Sequence, residues 1–176
     1  MLAWRIARPG NTLDLSGRGA ALHGGRWNLP EHPALYLGLS PESCALNAVI
    51  MAGHLPRLSL KLMQLRLPEE PDLYLKPSLA ELPIGWDAVP ADKPSMTYGS
   101  DWLTRGEHMG LILPSAAMEP TLCLLINPEH PACREIRILE VTDFVYGRRT
   151  PQSSVNAACG PRPAHARAHP STDGLC

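Results

Sequence analysis

The run His23-Gly24-Gly25-Arg26-Trp27-Asn28 combines residue types that could bind an anion and an aromatic ring. Two adjacent glycines allow backbone conformations that other residues avoid, and they let a ligand come close. Arg26 offers a planar fork of donors that suits phosphate or carboxylate groups, and Trp27 offers a flat stacking surface with one N–H donor. Taken alone, the run slightly favours a glycine turn with a surface arginine and a core tryptophan, because loops of this composition are common.

Three further residues are candidates for a site. Ser115 follows Pro114 at the end of an apolar run and could present its hydroxyl to a cleft, but it lacks the G-x-S-x-G setting of a hydrolase nucleophile, so a turn serine is favoured. Tyr36 lies within an apolar run, where a buried packing role is favoured over a phenol that lines a pocket. Asn47 falls in the middle of a predicted helix, although asparagine is a weak helix former. Its side chain is about equally expected to make a local hydrogen bond or to face a functional cleft.

The cysteines and histidines do not form a metal-binding pattern. The chain has an odd number of cysteines with no C-x-x-C pair, and its histidines lack the H-E-x-x-H spacing. The cysteines are Cys44, Cys123, Cys133, Cys159 and Cys176. The sequence therefore predicts no metal site and predicts reduced thiols, as in a cytoplasmic protein.

Composition favours one soluble globular domain. The chain has 176 residues, of which 44% are hydrophobic and 19% charged, and its formal net charge is −1. No basic patch is dense enough to indicate direct binding of nucleic acid. No segment reaches transmembrane length and no signal peptide opens the chain, so we expect no membrane association.

Hydrophobic patterning predicts short strands with few helices. The predicted strands are Leu2–Ala7, Ala34–Leu39, Leu58–Leu67, Met109–Leu113, Leu122–Ile126 and Arg134–Val141. Ser40-Pro41-Glu42 predicts the start of a helix that runs to about Met51, and a second helix is predicted over Ser95–Arg105. The glycine-rich and proline-rich segment Pro9–Gly25 is predicted to be a long loop, and Pro68–Pro94 to be irregular with a short helical turn near Ser78–Leu82.

The expected fold class is α+β, a single domain with a small mixed or antiparallel β-sheet core and short flanking helices. Within Leu58–Leu67 the alternation changes phase between Leu62 and Met63, which indicates a bulge or a strand covered on both sides. Residues 1–149 are predicted to form the domain. The Pro-, Ala- and His-rich tail, residues 150–176, is predicted to be flexible.

Taken in order, several motifs resemble those of the RES-domain proteins. They are Trp4-Arg5-Ile6, Gly24-Gly25-Arg26-Trp27-Asn28, Leu35-Tyr36-Leu37, the Ser40-Pro41 helix start, Gly99-Ser100-Asp101-Trp102-Leu103, Leu113-Pro114-Ser115-Ala116 and Asn127-Pro128-Glu129-His130-Pro131. The resemblance covers about residues 2–149, and the ordered set is more specific than any one motif.

This resemblance implies the toxin of a type II toxin–antitoxin pair, with a fold similar to ADP-ribosyltransferase toxins and with NAD as substrate. Such a toxin depletes NAD by cleaving the nicotinamide–ribose bond, as a glycohydrolase or as a phosphorylase that uses inorganic phosphate, and so arrests growth. Transfer of ADP-ribose to a protein is the alternative. The implied partner is an Xre-like antitoxin that covers the active cleft and makes Arg26 inaccessible, and a homodimer within the larger complex is a further option.

The resemblance also implies roles for individual residues. Arg26 and Ser115 match the Arg and the Ser of the family name. Arg26 would hold phosphate or ribose oxygens, and Ser115 would bond to the nicotinamide side or to a ribose hydroxyl. Tyr36 and Trp27 would shape the wall beside a ring. The catalytic residues expected are thus Arg26, Asn47 and Ser115.

Asn47 departs from the family pattern, since the family Glu aligns with it. Asn carries no charge and is one methylene shorter, which leaves three alternatives: a slower enzyme, one that recruits another acid such as Glu42 or Glu119, or an inactive module that binds NAD or a partner. Glu42 lies five residues earlier, which turns it about 140° away on a helix and makes it a poor substitute. Cys123 and Gly147 also replace residues that the family usually shows.

Overall fold

The computed structural model describes residues 1–52, 59–116, 118 and 120–146, except the side chains of residues 50–52, and these residues form one seven-stranded sheet with three α-helices. The strands are β1 (Leu2–Ala7), β2 (Leu35–Gly38), β3 (Leu60–Arg66), β4 (Tyr74–Leu75), β5 (Gly110–Pro114), β6 (Leu122–Ile126) and β7 (Arg137–Phe144). The helices are α1 (Arg18–His23), α2 (Pro41–Ala52) and α3 (Lys93–Arg105). Short 3₁₀ turns lie at Pro9–Asn11, Pro71–Leu73, Leu79–Glu81 and Pro131–Glu135.

The strand order in the sheet is β4-β5-β6-β2-β1-β3-β7. The β4–β5 pair is parallel and the other pairs are antiparallel, so the sheet is mixed. This architecture confirms the predicted α+β class, with a mixed sheet and short flanking helices.

Apolar clusters cover both faces of the sheet. Because side chains alternate along a strand, Leu35 and Leu37 of β2 enter one cluster and Tyr36 packs against the other. The second cluster is built around Trp27 and Trp102, the latter on α3. This alternation places Tyr36 on the same face as the loop that carries Arg26.

The segment Pro9–Gly25 is not the long loop that we predicted, because it contains α1. Gly17 and Gly24 both have a φ of 72°, and the Gly24 N–H donates to the Ala20 carbonyl oxygen at 2.8 Å. These glycines form the ends of the helix, since the left-handed conformation costs glycine little. The glycines that suggested a loop in the sequence instead mark the two ends of this helix.

Other departures concern element boundaries. The register shift in β3 falls between Gln64 and Leu65, opposite β7, two residues later than predicted. Strand β4 was not predicted, and α3 begins at Lys93, where Asp92 accepts from the Lys93 N–H at 2.7 Å. Leu58 and the tail of residues 150–176 lie outside the described residues. No helix in the described ranges has the length and apolar character needed to cross a membrane.

Candidate functional site

A pocket of about 170 Å³ lies between α2, the loop that carries Arg26, and the ends of β5 and β6. All five residues predicted for the site line it, namely Arg26, Trp27, Tyr36, Asn47 and Ser115. Arg26 is the one charged side chain among the described residues that line this pocket. The structure thus brings together residues that are far apart in the sequence, in a cavity whose described lining is mainly apolar and carries a single cation.

Two backbone carbonyls orient Arg26. Its Nη1 donates to the Trp86 carbonyl oxygen at 3.2 Å and to the Ala88 carbonyl oxygen at 2.8 Å. A guanidinium has five N–H donors, so three donors, on Nε and Nη2, lie outside these two bonds. Arg26 is therefore held in place while most of its donor fork stays suited to an anion.

A buried polar network fixes the two residues that follow Arg26, Trp27 and Asn28. The Tyr36 hydroxyl accepts from the Trp27 N–H at 2.9 Å and donates to Asn28 Oδ1 at 2.7 Å. Asn28 is fully buried, and its Nδ2 donates to the carbonyl oxygens of Ala20, Leu29 and His32. Burial raises the pKa of Tyr36 well above its ordinary value, so the phenol stays protonated and keeps donating.

The glycine pair makes room for Tyr36. A Cβ at Gly25 would lie 2.5 Å from Tyr36 Oη and 2.8 Å from Asn28 Oδ1. Our expectation that these glycines admit a ligand is therefore not met at Gly25, where the phenol of the protein itself fills the space.

Trp27 is a core residue with an edge in the pocket wall. It is 1% exposed and stacks on Trp86, with ring centroids 5.9 Å apart and planes 19° from parallel. Tyr98 meets it edge-on at 6.2 Å. Within the described part of the chain, the Trp27 Nε1–H is buried without a hydrogen-bond partner. Trp86 covers one face of the indole, so that face is not a stacking platform for a ligand.

Helix α2 presents Asn47 to the pocket together with Cys44 and Ala48. Cys44 lies about one helical turn before the other two residues. Glu42 is exposed and lines a separate groove with Ser43 and Leu46. None of the described residues that line the Arg26 pocket is a carboxylate. The geometry therefore gives no support to Glu42 as a substitute acid, and Glu119, like Gly147, lies outside the described residues.

Ser115 and two thiols, Cys44 and Cys123, also line the pocket. Ser115 is 6% exposed, and its N–H donates to the Thr121 carbonyl oxygen at 2.8 Å, which fixes the start of the β5–β6 connection. Burial raises the pKa of the Cys44 thiol to about 11 and that of Cys123 to about 12. Both thiols are therefore neutral near pH 7 and poor nucleophiles.

The sequence reasoning missed Cys44 and the segment Trp86–Val89. Cys44 could have been found from its spacing of three residues before Asn47 on one helix face. The contacts of this segment with Arg26 could not, because main-chain carbonyls make them. Among the described residues, no group of three or more His, Cys, Asp or Glu side chains could hold a metal ion.

A family model described as the RES domain matches residues 2–147 of the chain. A protein from Sphingobium sp. named Prs ADP-ribosylating toxin is 35% identical over 154 residues, which span 83% of this chain and 94% of that protein. A protein from Pseudomonas putida named Toxin Res is 33% identical over 144 residues, which span 82% of this chain and 95% of that protein.

A solved structure has a similar fold. It is described as the MbcT–MbcA toxin–antitoxin complex of M. tuberculosis, and it matches with a TM-score of 0.62 at 20% sequence identity. The match covers 82% of this chain and 84% of that chain. At this identity the likeness establishes the fold.

Proposed function

The chain belongs to the RES domain family, and from this premise we propose that it is the toxin of a toxin–antitoxin pair and cleaves the nicotinamide–ribose bond of NAD. Depletion of cytoplasmic NAD would then arrest growth. The observation that carries the proposal is the pocket in which Arg26, Tyr36, Asn47 and Ser115 meet, with Arg26 as the one charge among its described lining residues.

NAD binding would begin at Arg26. The donors of Arg26 that lie outside its bonds to Trp86 and Ala88 match the oxygens of the pyrophosphate. Tyr36 and the edge of Trp27 would shape the wall beside a ring. Ser115 would bond to the nicotinamide amide or to a ribose hydroxyl, which would place the glycosidic bond near Asn47.

Bond cleavage needs charge stabilisation more than proton transfer. The C1′–N bond breaks and its electron pair goes to the nicotinamide nitrogen, which becomes neutral and needs no strong general acid. The ribose becomes oxocarbenium-like, as in glycoside cleavage. A water molecule or an inorganic phosphate then bonds to C1′, and in the case of water a proton is released to solvent.

Asn47 would offer only an amide dipole to the developing positive charge. The family Glu would offer a full negative charge at that position, and losing one preorganised electrostatic partner commonly costs about 10²–10³ in rate. The lack of a carboxylate among the described lining residues favours a second candidate, a catalytically weakened module that binds NAD or a partner.

A protein side chain is the other candidate acceptor for ADP-ribose. The name of the Sphingobium relative, Prs ADP-ribosylating toxin, favours this transfer. The first step would be the same bond cleavage, and a nucleophilic side chain of the target would bond to C1′ in place of water or phosphate.

The proposed partner is an Xre-like antitoxin that covers the pocket and blocks access to Arg26. The similar fold in a toxin–antitoxin complex supports an antitoxin as the partner. A homodimer within the larger complex remains part of the proposal. We expect no direct contact with nucleic acid, because the net charge of the chain is −1.

Product analysis tests the proposal. The full chain is incubated with NAD, with and without inorganic phosphate and with and without a cell lysate as a source of acceptor proteins, and the products are identified by mass spectrometry. Binding of NAD is measured separately by calorimetry. We expect nicotinamide in equal amount with ADP-ribose, or with its 1″-phosphate when phosphate is present. Nicotinamide release with ADP-ribose attached to protein would indicate transfer. NAD binding without any nicotinamide release would indicate the weakened module, and neither binding nor release would contradict the proposal.

A further inference from the structure

Val89 is an exposed apolar side chain that lines the pocket. It is 78% exposed, whereas the other described lining residues are buried or half-buried. Val89 therefore marks the rim where the pocket opens to solvent. A ligand that covers this apolar side chain removes it from water, which makes the free energy of binding more favourable.

The rim around Val89 is held in place by Arg26. The carbonyl of Ala88, the residue before Val89, accepts from Arg26 Nη1 at 2.8 Å, and Trp86 stacks on the buried Trp27. The position of Val89 is thus tied to the position of the guanidinium. Anything bound to the other donors of Arg26 lies close to this rim.

The pocket is too small to enclose a dinucleotide. Sites that bury a drug-sized ligand have volumes of about 300–1,000 Å³, and this pocket has about 170 Å³. The reacting bond must lie inside, near Asn47 and Ser115, and the pyrophosphate matches Arg26. The adenosine half then leaves the pocket on the side where Arg26 meets the rim.

We infer that Val89 is a specificity-determining residue that packs against the adenosine half of NAD, so that the chain prefers the dinucleotide to nicotinamide mononucleotide. This inference rests on the proposed NAD-binding function. It predicts that a change at Val89 alters the affinity only for ligands that carry adenosine.

Binding of NAD, ADP-ribose and nicotinamide mononucleotide to the full chain tests the inference by calorimetry. Val89→Ala removes two methyl groups without adding charge. Ile84→Ala is its matched control, because Ile84 is 99% exposed, lies two residues before the segment Trp86–Val89 and is not among the described residues that line the pocket. We expect Val89→Ala to lower the affinity for NAD and for ADP-ribose about 3- to 10-fold, and the affinity for the mononucleotide less than about twofold. Ile84→Ala should leave all three affinities unchanged.

The outcomes separate this inference from the proposed function. Unchanged affinity of Val89→Ala for NAD, or an equal loss for all three ligands, overturns the inference while the NAD site stands. No binding of NAD or ADP-ribose by the unaltered chain overturns the proposed function and the inference with it.

Discussion

At the scale of single residues, we expect Arg26 and Asn47 to affect binding and turnover differently. Arg26 is oriented by the carbonyls of Trp86 and Ala88, so little freedom would be lost if it bound an anion. Under the proposed function, Asn47 would bring no negative charge to offset the positive charge that develops on the ribose. We therefore expect the pocket to retain affinity for NAD while its rate of bond cleavage is low.

The hydroxyl of Tyr36 supports Trp27 and Asn28, the two residues that follow Arg26 in the loop. Tyr36→Phe leaves the Trp27 N–H and Asn28 Oδ1 without this partner in a buried environment. We expect a loss of about 1–3 kcal/mol in the free energy of unfolding, measured by urea denaturation, together with weaker NAD binding. Tyr98→Phe is the control, since no hydrogen bond joins its hydroxyl to the described residues and its ring still meets Trp27. An equal loss in both variants would argue against a special role for the Tyr36 hydroxyl.

At the scale of elements, two glycines let helices approach the site closely. A Cβ at Gly38 of β2 would lie 2.5 Å from the Cys44 backbone nitrogen, so glycine at this position allows α2 to lie directly on the sheet. A Cβ at Gly99 of α3 would overlap the Trp27 carbonyl oxygen. Helix α2 and the loop that carries Arg26 are thus positioned by close backbone contacts, with β2 and with α3 respectively.

Gly99→Ala and Gly19→Ala should change stability in opposite directions. The first forces α3 away from the loop that carries Arg26, and overpacking of this kind costs about 1–3 kcal/mol. The second lies in α1 with nothing within 4 Å of the added methyl group, so alanine should stabilise the helix by about 0.5–1 kcal/mol. Thermal and urea unfolding measure both. Wild-type stability in Gly99→Ala would contradict the close contact.

Sequence patterning predicted the elements whose signals are local. Strand β6 was predicted from the apolar run Leu122–Ile126, and the start of α2 from Ser40-Pro41. Both predictions succeeded because strand burial and helix capping are set by neighbouring residues. Helix α1 was missed because its terminal glycines look like loop residues. The site itself combines residues from separate elements, so only the ordered resemblance suggested that they meet. The bonds from Arg26 to the segment Trp86–Val89 could not be predicted, because main-chain carbonyls accept them and carbonyls leave no signal in the sequence.

At the scale of the whole molecule, a sheet covered on both faces keeps its ionisable core groups neutral. Cys44 on α2 and Cys123 on β6 both line the pocket, and burial raises the pKa of the Cys44 thiol to about 11 and that of the Cys123 thiol to about 12. The protein therefore holds these protons more tightly when folded than when unfolded. The free energy of unfolding therefore depends on pH in the alkaline range.

We predict that the free energy of unfolding falls above about pH 9. The ordinary thiol pKa is 9.0, so below that pH both states are protonated and these groups add no pH dependence. Above it the unfolded chain loses its protons first, and the stability associated with the protonated thiols is lost as the pH rises towards 11. Urea unfolding from pH 7 to 11 measures this, and Cys44→Ala should show a shallower decline. An identical decline in that variant would show that another group is responsible.

The rate of NAD loss in Asn47→Glu tests the central claim, that the pocket around Arg26 and Asn47 acts on NAD. Mass spectrometry would follow NAD in the unaltered chain, in Asn47→Glu, and in Asn47→Glu combined with Arg26→Ala. We predict that restoring the carboxylate raises the rate about 10²–10³-fold and that removing the guanidinium abolishes most of this gain. No increase in Asn47→Glu, or an increase that persists without Arg26, would contradict the account.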